Sequence, residues 1–99
     1  MELNKQSVTE SIRATILREA EQCVCGHREQ DYGSPEDNFA RIAGLWSAYL
    51  HAEISALDVA MLMALLKIAR VKGGQTHDSF VDLAGYAACG GEIAERSKE

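Results

Sequence analysis

The sequence predicts an all-α fold, a small four-helix bundle that assembles as a homo-oligomer. Apolar residues recur at three- and four-residue steps in four segments, and no useful stretch alternates with the two-residue period of a β-strand. Apolar residues make up 46% of the chain and aromatic residues only 6%, so alanine and the aliphatic side chains dominate the core. A chain of 99 residues is short enough for one domain, which we place over residues 1–99.

The first two helices are predicted from apolar periodicity and from their ends. The first covers about residues 8–24, with Gly26 in the left-handed conformation that often ends a helix. Its apolar face comprises Val8, Ile12, Ile16, Leu17, Ala20 and Val24. The second begins at Ser34-Pro35, because serine caps helix N-termini and proline fits the first helical position. Its apolar stripe comprises Phe39, Ile42, Ala43, Trp46, Tyr49 and Leu50.

The third and fourth helices carry the broadest apolar surfaces. Ser55 and Asp58 have the spacing of a capping box, and Gly73-Gly74 ends the third helix. Because residues 59–66 are apolar on nearly every side, we expect this helix to be the central, most enclosed one. The fourth covers about residues 78–94 and contains small residues that allow close helix approach: Ala84, Gly85, Ala87, Ala88, Gly90 and Gly91. These surfaces predict a core shared between subunits, and the alternative is a monomeric bundle.

Charge and cysteine content limit the possible partners. A net charge of −5 and a pI of about 5.1 argue against binding to duplex nucleic acid. The basic residues Lys67, Arg70 and Lys72 nonetheless cluster, which suits a small anion. The three cysteines lack zinc-site spacing, so we expect reduced thiols in the cytoplasm. No apolar run approaches the roughly 20 residues of a membrane helix.

Two charged pairs at the ends of the last two helices are candidate site residues. Lys67 and Arg70 lie on one edge of the third helix, where they form a phosphate clamp or stabilise the negative end of the helix dipole. Asp78 and Asp82 are one turn apart, with Tyr86 on the same edge. This pair either shares Mg²⁺ or serves helix capping and an ion pair with Lys67 or Arg70.

A second group of candidates surrounds the start of the second helix. Tyr32 can stack on a nucleobase and Asn38 can hydrogen-bond its edge, and Arg28 lies in the same segment. Asp31-Tyr32-Gly33 is equally typical of a turn with a packed tyrosine. Trp46 and Tyr49 are either base platforms or core residues.

These residues also carry a resemblance to a known family. The chain, from the first helix through Glu92, resembles a family of short phage and prophage proteins. The first half of the shared pattern is Arg28, Glu29, Tyr32, Gly33, Pro35, Glu36, Asn38, Phe39, Ile42, Ala43, Leu45 and Trp46. The second half is Leu65, Leu66, Lys67, Ala69, Arg70, Asp78, Asp82, Ala84, Gly85 and Tyr86.

A more distant similarity is to the MazG-like all-α nucleotide pyrophosphohydrolases. That resemblance implies a helical oligomer that holds Mg²⁺ on Glu-x-x-Glu and Glu-x-x-Asp motifs and binds nucleoside triphosphates between subunits. Asp82 matches the aspartate of the second motif, but Ser79 stands at its glutamate, and the upstream Glu-x-x-Glu is missing. The resemblance therefore implies nucleotide binding more than hydrolysis.

Together these observations predict a phage-type, cytoplasmic protein that binds and sequesters a small nucleotide without hydrolysing it, and a signal of the host's defences is one candidate for that nucleotide. The expected ligand-binding residues are Arg28, Tyr32, Asn38, Trp46, Lys67, Arg70 and Tyr86. No cofactor is expected, although Mg²⁺ is possible, with Asp78 and Asp82 as its candidate ligands. The alternatives are a Mg²⁺-dependent pyrophosphohydrolase that uses Glu36, Asp78 and Asp82, and a non-catalytic interaction module.

Overall fold

The four predicted helices are present and pack compactly in a computed structural model that describes residues 10–26 and 33–98. They are α1 (Ile12–Cys25), α2 (Pro35–Leu50), α3 (Ala56–Lys72) and α4 (His77–Arg96). The all-α prediction is confirmed, since every regular element in these residues is a helix. None of these helices combines the length and the apolar character that crossing a bilayer requires.

Three serines determine where the first three helices begin. Ser34 accepts a hydrogen bond from the Asp37 amide at 3.2 Å, with Pro35 next to it as predicted. Ser55 and Asp58 form the predicted capping box, with reciprocal side-chain-to-amide hydrogen bonds of 3.0 Å. In α1, Ser11 caps the Ala14 amide at 3.2 Å. The helix therefore begins at Ile12, so the predicted start near residue 8 is wrong.

The predicted conformation of Gly26 is also wrong. Its φ of −104° and ψ of −124° lie outside the left-handed region. Glycine is needed there for a different reason, because a Cβ atom would lie 2.5 Å from the Gln22 carbonyl oxygen.

The central helix of the bundle is α4, not α3. It packs against all three other helices, whereas α3 packs mainly against α2 and α4. Small residues of α4 make this possible. A Cβ atom at Gly85 would lie 3.1 Å from Val24 of α1, and one at Gly90 would lie 2.9 Å from Met61 of α3. The close approach predicted from these glycines therefore occurs between helices of one chain.

The inner face of α3 is buried, but its outer face is open. Val59 and Ala60 have no exposed surface and belong to a core cluster with Phe39, Ala43 and Cys89, and Ala64 is 9% exposed. The large apolar side chains of α3 that remain partly exposed are Leu57, Met61, Leu62, Leu65, Leu66 and Ile68. The prediction that α3 is the most enclosed helix is therefore wrong for the single chain.

The connection between α2 and α3 is fixed by one serine. α2 ends at Leu50, and the next residue, His51, has a left-handed backbone (φ 54°) that allows its amide to bond to the Ser47 carbonyl. The Ser47 hydroxyl accepts a hydrogen bond from the Ile54 amide at 2.9 Å and donates one to the Ile54 carbonyl at 3.2 Å. This double contact determines where α3 begins relative to α2.

Candidate functional site

A cavity of about 310 Å³ lies where α1, α2, α3 and α4 meet. We call it the cavity. It is lined by Cys23, Val24, Gly33, Pro35, Asn38, Phe39, Lys67, Val81, Asp82, Gly85, Tyr86 and Cys89. Its volume is at the lower end of the range for small-molecule sites, and it combines apolar walls with a few polar groups, as such sites do.

Aromatic rings form one wall of the cavity. The Phe39 and Tyr86 rings lie with centroids 6.1 Å apart and planes inclined by 34°. Phe39 is buried and anchors the arrangement in the core, whereas Tyr86 is only half-buried. Asn38 lies beside Phe39 on α2 and offers both an amide donor and a carbonyl acceptor.

A second, more polar depression of about 510 Å³ lies next to the cavity, between the end of α3 and the start of α4. We call it the polar groove. It is lined by Lys67, Arg70, Gln75, Thr76, His77, Asp78, Ser79 and Asp82. Two cations and two carboxylates therefore face the same groove. Their opposite charges make it polar without giving it a strong net positive potential.

Lys67 and Asp82 line both depressions and form an ion pair. Lys67 Nζ lies 2.9 Å from Asp82 Oδ2, and the Lys67 side chain is only 14% exposed. This is one of the two interpretations that the sequence left open for Asp82. An ammonium group has three donors, so the Asp82 contact leaves Lys67 able to donate to a ligand.

The start of α4 adds main-chain donors to the polar groove. Thr76 is the N-cap residue, but its side chain makes no capping hydrogen bond. The first amides of a helix have no intrahelical acceptor, and the helix dipole makes this end favourable for anions. Asp78 lies in this first turn and offsets part of that effect.

His77 makes a contact between two helices. It is the first residue of α4, and its Nε2 lies 2.8 Å from Glu19 Oε1 of α1. It therefore links α1 to α4 at the edge of the polar groove.

The structure brings together six of the predicted site residues. The cavity is lined by Asn38, Tyr86, Lys67 and Asp82. The polar groove is lined by Lys67 and Asp82 again, together with Arg70 and Asp78. Trp46 lies elsewhere, half-buried against the core cluster. Arg28 and Tyr32 fall outside the described residues.

Glu36 is held away from the two aspartates. Its Oε2 lies 2.6 Å from Arg96 Nε, a close ionic contact without the alignment of a hydrogen bond. Arg96 and Asp78 are 18 residues apart on α4, a rise of about 27 Å. The three carboxylates of the hydrolase hypothesis therefore do not meet. Within residues 10–26 and 33–98, no three His, Cys, Asp or Glu side chains are grouped as metal ligands.

Several lining residues were missed from the sequence. Asp82, Gly85, Tyr86 and Cys89 recur at three- and four-residue steps, so helical spacing was a sufficient signal for Gly85 and Cys89. The α1 residues Cys23 and Val24 gave no comparable signal, because helical spacing says nothing about which neighbouring helix a face meets.

The fold and this site describe a small all-α protein with a polar groove beside an apolar cavity. The chain belongs to the family described as "Domain of unknown function (DUF6378)", which its residues 15–94 match. It is 54% identical over 86 residues to the Gene 55 protein of Mycobacterium phage D29, covering 86% of this chain and 57% of that protein.

A second relative is the Gene 55 protein of Mycobacterium phage L5, 49% identical over 75 residues, covering 74% of this chain and 48% of that protein. The chain thus spans about half the length of these relatives. No solved structure matches it. The resemblance to phage proteins is confirmed at the level of the family, and the similarity to the pyrophosphohydrolases stays a prediction.

Proposed function

We propose that this protein binds a small nucleotide and sequesters it without hydrolysing it. The phosphates lie in the polar groove and the base lies in the cavity. The observation that carries the proposal is the position of Lys67, which lines both depressions and so stands where the phosphate and nucleoside parts of one ligand join.

Phosphate binding is supported by three kinds of donor in one groove. Arg70 offers a planar fork of N–H groups, Lys67 offers a point charge, and the start of α4 offers main-chain amides. Asp78 and Asp82 oppose an isolated anion, since they line the same groove. Affinity must therefore come partly from the rest of the ligand, which favours a nucleotide over inorganic phosphate.

Base binding is supported by the cavity wall. The half-buried Tyr86 offers a ring face for stacking, and Asn38 offers a donor and an acceptor to a base edge. The volume of about 310 Å³ suits one nucleoside unit. If the ligand is a dinucleotide, its second unit lies outside the cavity.

Sequestration without hydrolysis is supported by the way the carboxylates are paired. Asp82 is bound to Lys67 and Glu36 to Arg96, so two of the three acids of the hydrolase hypothesis are each paired with a cation. A phage would benefit from such a protein if the nucleotide were a signal on which host defence depends.

Mass spectrometry of ligands retained by the protein tests this proposal. The full chain is incubated with Mg²⁺ and a pool of mononucleotides, cyclic dinucleotides and ADP-ribose-type molecules, separated from free ligand and then denatured. We expect one nucleotide to be released unchanged from the protein fraction. A chemically altered ligand contradicts sequestration, and a protein fraction without any nucleotide contradicts the whole proposal.

Matched substitutions locate the binding site. Lys67→Met and Arg70→Met should each reduce nucleotide affinity by about 10-fold or more, since each removes a charged hydrogen-bond donor. Arg41→Met removes a cation from α2 outside both depressions and should leave the affinity unchanged. Equal losses in all three variants would mean that only the overall charge matters.

A Mg²⁺-dependent pyrophosphohydrolase is the second candidate, because Asp78 and Asp82 line the same groove one turn apart. Under this hypothesis Asp82→Asn abolishes turnover and leaves the fold intact. Under sequestration, substitution of Arg70 reduces nucleotide retention more than Asp82→Asn does. The comparison of these two variants separates the candidates.

A plain interaction module is the third candidate, favoured by the exposed apolar face of α3. In that case the protein does not bind nucleotides, and Lys67→Ala and Arg70→Ala only lower the free energy of unfolding.

A further inference from the structure

The outer face of α3 carries a second apolar stripe that no described helix of the chain covers. Leu62, Leu65 and Ala69 are exposed and recur at steps of three and four residues. At 100° per residue, Leu65 points about 160° away from the mean direction of the buried Val59, Ala60 and Ala64. A stripe at this spacing is the seam by which helices pair in coiled coils.

Charges stand only at the two ends of this stripe. Asp58 lies seven residues before Leu65 and Lys72 lies seven residues after it, and both are exposed. Seven residues are close to two helical turns, so the three share one side of α3. The charged ends are about 21 Å apart along the helix axis.

The stripe is complementary to itself when it is reversed. If two α3 helices pack antiparallel about a two-fold axis through Leu65, Asp58 of each copy faces Lys72 of the other. By the same symmetry Leu62 faces Ala69 of the other copy on one side of the axis, and Met61 faces Ile68 on the other. Apolar side chains meet apolar side chains along the stripe, and opposite charges meet at both ends.

We infer that α3 is the interface of a two-fold symmetric dimer, with Leu65 at the axis and the Asp58–Lys72 pairs at its ends. A two-fold interface requires a surface that complements itself, and this one does in both apolarity and charge. Antiparallel packing also places the helix dipoles in their favourable relative orientation. The occupant of the exposed face is therefore a second copy of this chain.

This inference does not rest on the proposed function. Lys67 lies about 160° around α3 from Leu65, so the cavity and the polar groove stay open in the dimer. A loss of dimerisation and a loss of nucleotide binding are consequently separate results.

Sedimentation equilibrium of the full chain over a range of concentrations tests the dimer. Leu65→Glu brings two carboxylates together at the axis and should raise the dimer dissociation constant by at least about 100-fold. Leu17→Glu is the matched control, because Leu17 is 64% exposed on α1, outside the stripe. It should leave the dissociation constant unchanged. Far-ultraviolet circular dichroism checks that both variants keep their helices.

Charge reversal tests the ends of the stripe without changing its apolar residues. Lys72→Glu places a carboxylate against Asp58 of the second copy, and should weaken the dimer about 10-fold at low salt and less at high salt. Lys98→Glu reverses an exposed lysine outside α3 and should have no effect. A monomeric native chain, or an assembly that Leu65→Glu leaves intact, would overturn the inference.

Discussion

The two faces of α3 are both apolar, but they differ in the size of their side chains. The inner face presents Val59, Ala60 and Ala64, which are buried against the rest of the chain. The outer face presents Leu62 and Leu65, which are 43% and 59% exposed. Because both faces are hydrophobic, hydropathy alone cannot predict which of them packs against α4.

Side-chain size is what distinguishes the faces. The inner face meets α4 at Gly90, where a Cβ atom would lie 3.4 Å from Ala60 and also 2.9 Å from the end of the Met61 side chain, which reaches in from the edge of the outer face. The two helices approach this closely because Gly90 has no side chain and Ala60 has a small one. The leucines of the outer face are too large for such a contact, and suit the wider knobs-into-holes packing of a helix pair.

Enlarging a side chain on the inner face of α3 should cause the largest loss in the free energy of unfolding. Ala60 has no exposed surface, so Ala60→Leu adds three carbon atoms where α3 and α4 are in contact. Overpacking of this kind costs about 3 kcal/mol of the free energy of unfolding. Urea denaturation followed by circular dichroism measures the loss.

The control for that substitution is Ala48→Leu, which makes the same change at an exposed position of α2. It should alter the free energy of unfolding by less than about 0.5 kcal/mol. If both variants were equally stable, the α3–α4 contact would not be close-packed, and the size argument would fail.

The starts of α2 and α3 were predicted well from the sequence, whereas the neighbours of each helix were not. Ser34-Pro35 and the Ser55–Asp58 pair act through hydrogen bonds within four residues, so their effect can be read locally. The central position of α4 depends on which neighbouring helices its small residues allow to approach closely. Helical periodicity orders side chains on their own helix only, and for that reason it favoured α3, the most apolar helix.

The same reasoning applies to the candidate site. Lys67 and Asp82 were recognised as a possible ion pair because their opposite charges stand on consecutive helices. Asn38 of α2 and Tyr86 of α4 line one cavity because Phe39, the neighbour of Asn38, packs against Tyr86. This is a tertiary contact between residues 47 positions apart, which no local pattern encodes.

Removing the Ser47 hydroxyl should have an intermediate effect, because it orients α3 where the helix begins. Ser47→Ala deletes both hydrogen bonds to Ile54 and should lower the free energy of unfolding by about 1–2 kcal/mol. Thermal denaturation detects a loss of this size. Ser97→Ala, near the end of α4, removes an exposed hydroxyl bonded to the Ala94 carbonyl and should change stability much less. Similar losses in both would mean that the α2–α3 connection does not depend on Ser47.

The smallest effect is expected where charges face solvent, at the ion pair between Glu10, just before α1, and Arg18 of α1. Arg18 donates to both carboxylate oxygens of Glu10, at 2.9 and 3.3 Å, and this hydrogen bonding lowers the pKa of Glu10. A carboxyl group with a lowered folded-state pKa stabilises the fold above its unfolded-state pKa. That contribution is lost as pH falls through the folded-state value.

Since both side chains are solvated, Glu10→Gln should leave the urea midpoint at neutral pH unchanged within error. The local pKa is the more sensitive quantity. In an NMR titration, the Glu10 carboxyl should have a midpoint below that of an ordinary glutamate, and Arg18→Gln should return it to the usual range. A Glu10 midpoint that Arg18→Gln does not move would mean that the ion pair is absent in solution. A large loss of stability in Glu10→Gln would mean that exposed charge contributes to this fold as much as the small residues of the inner face.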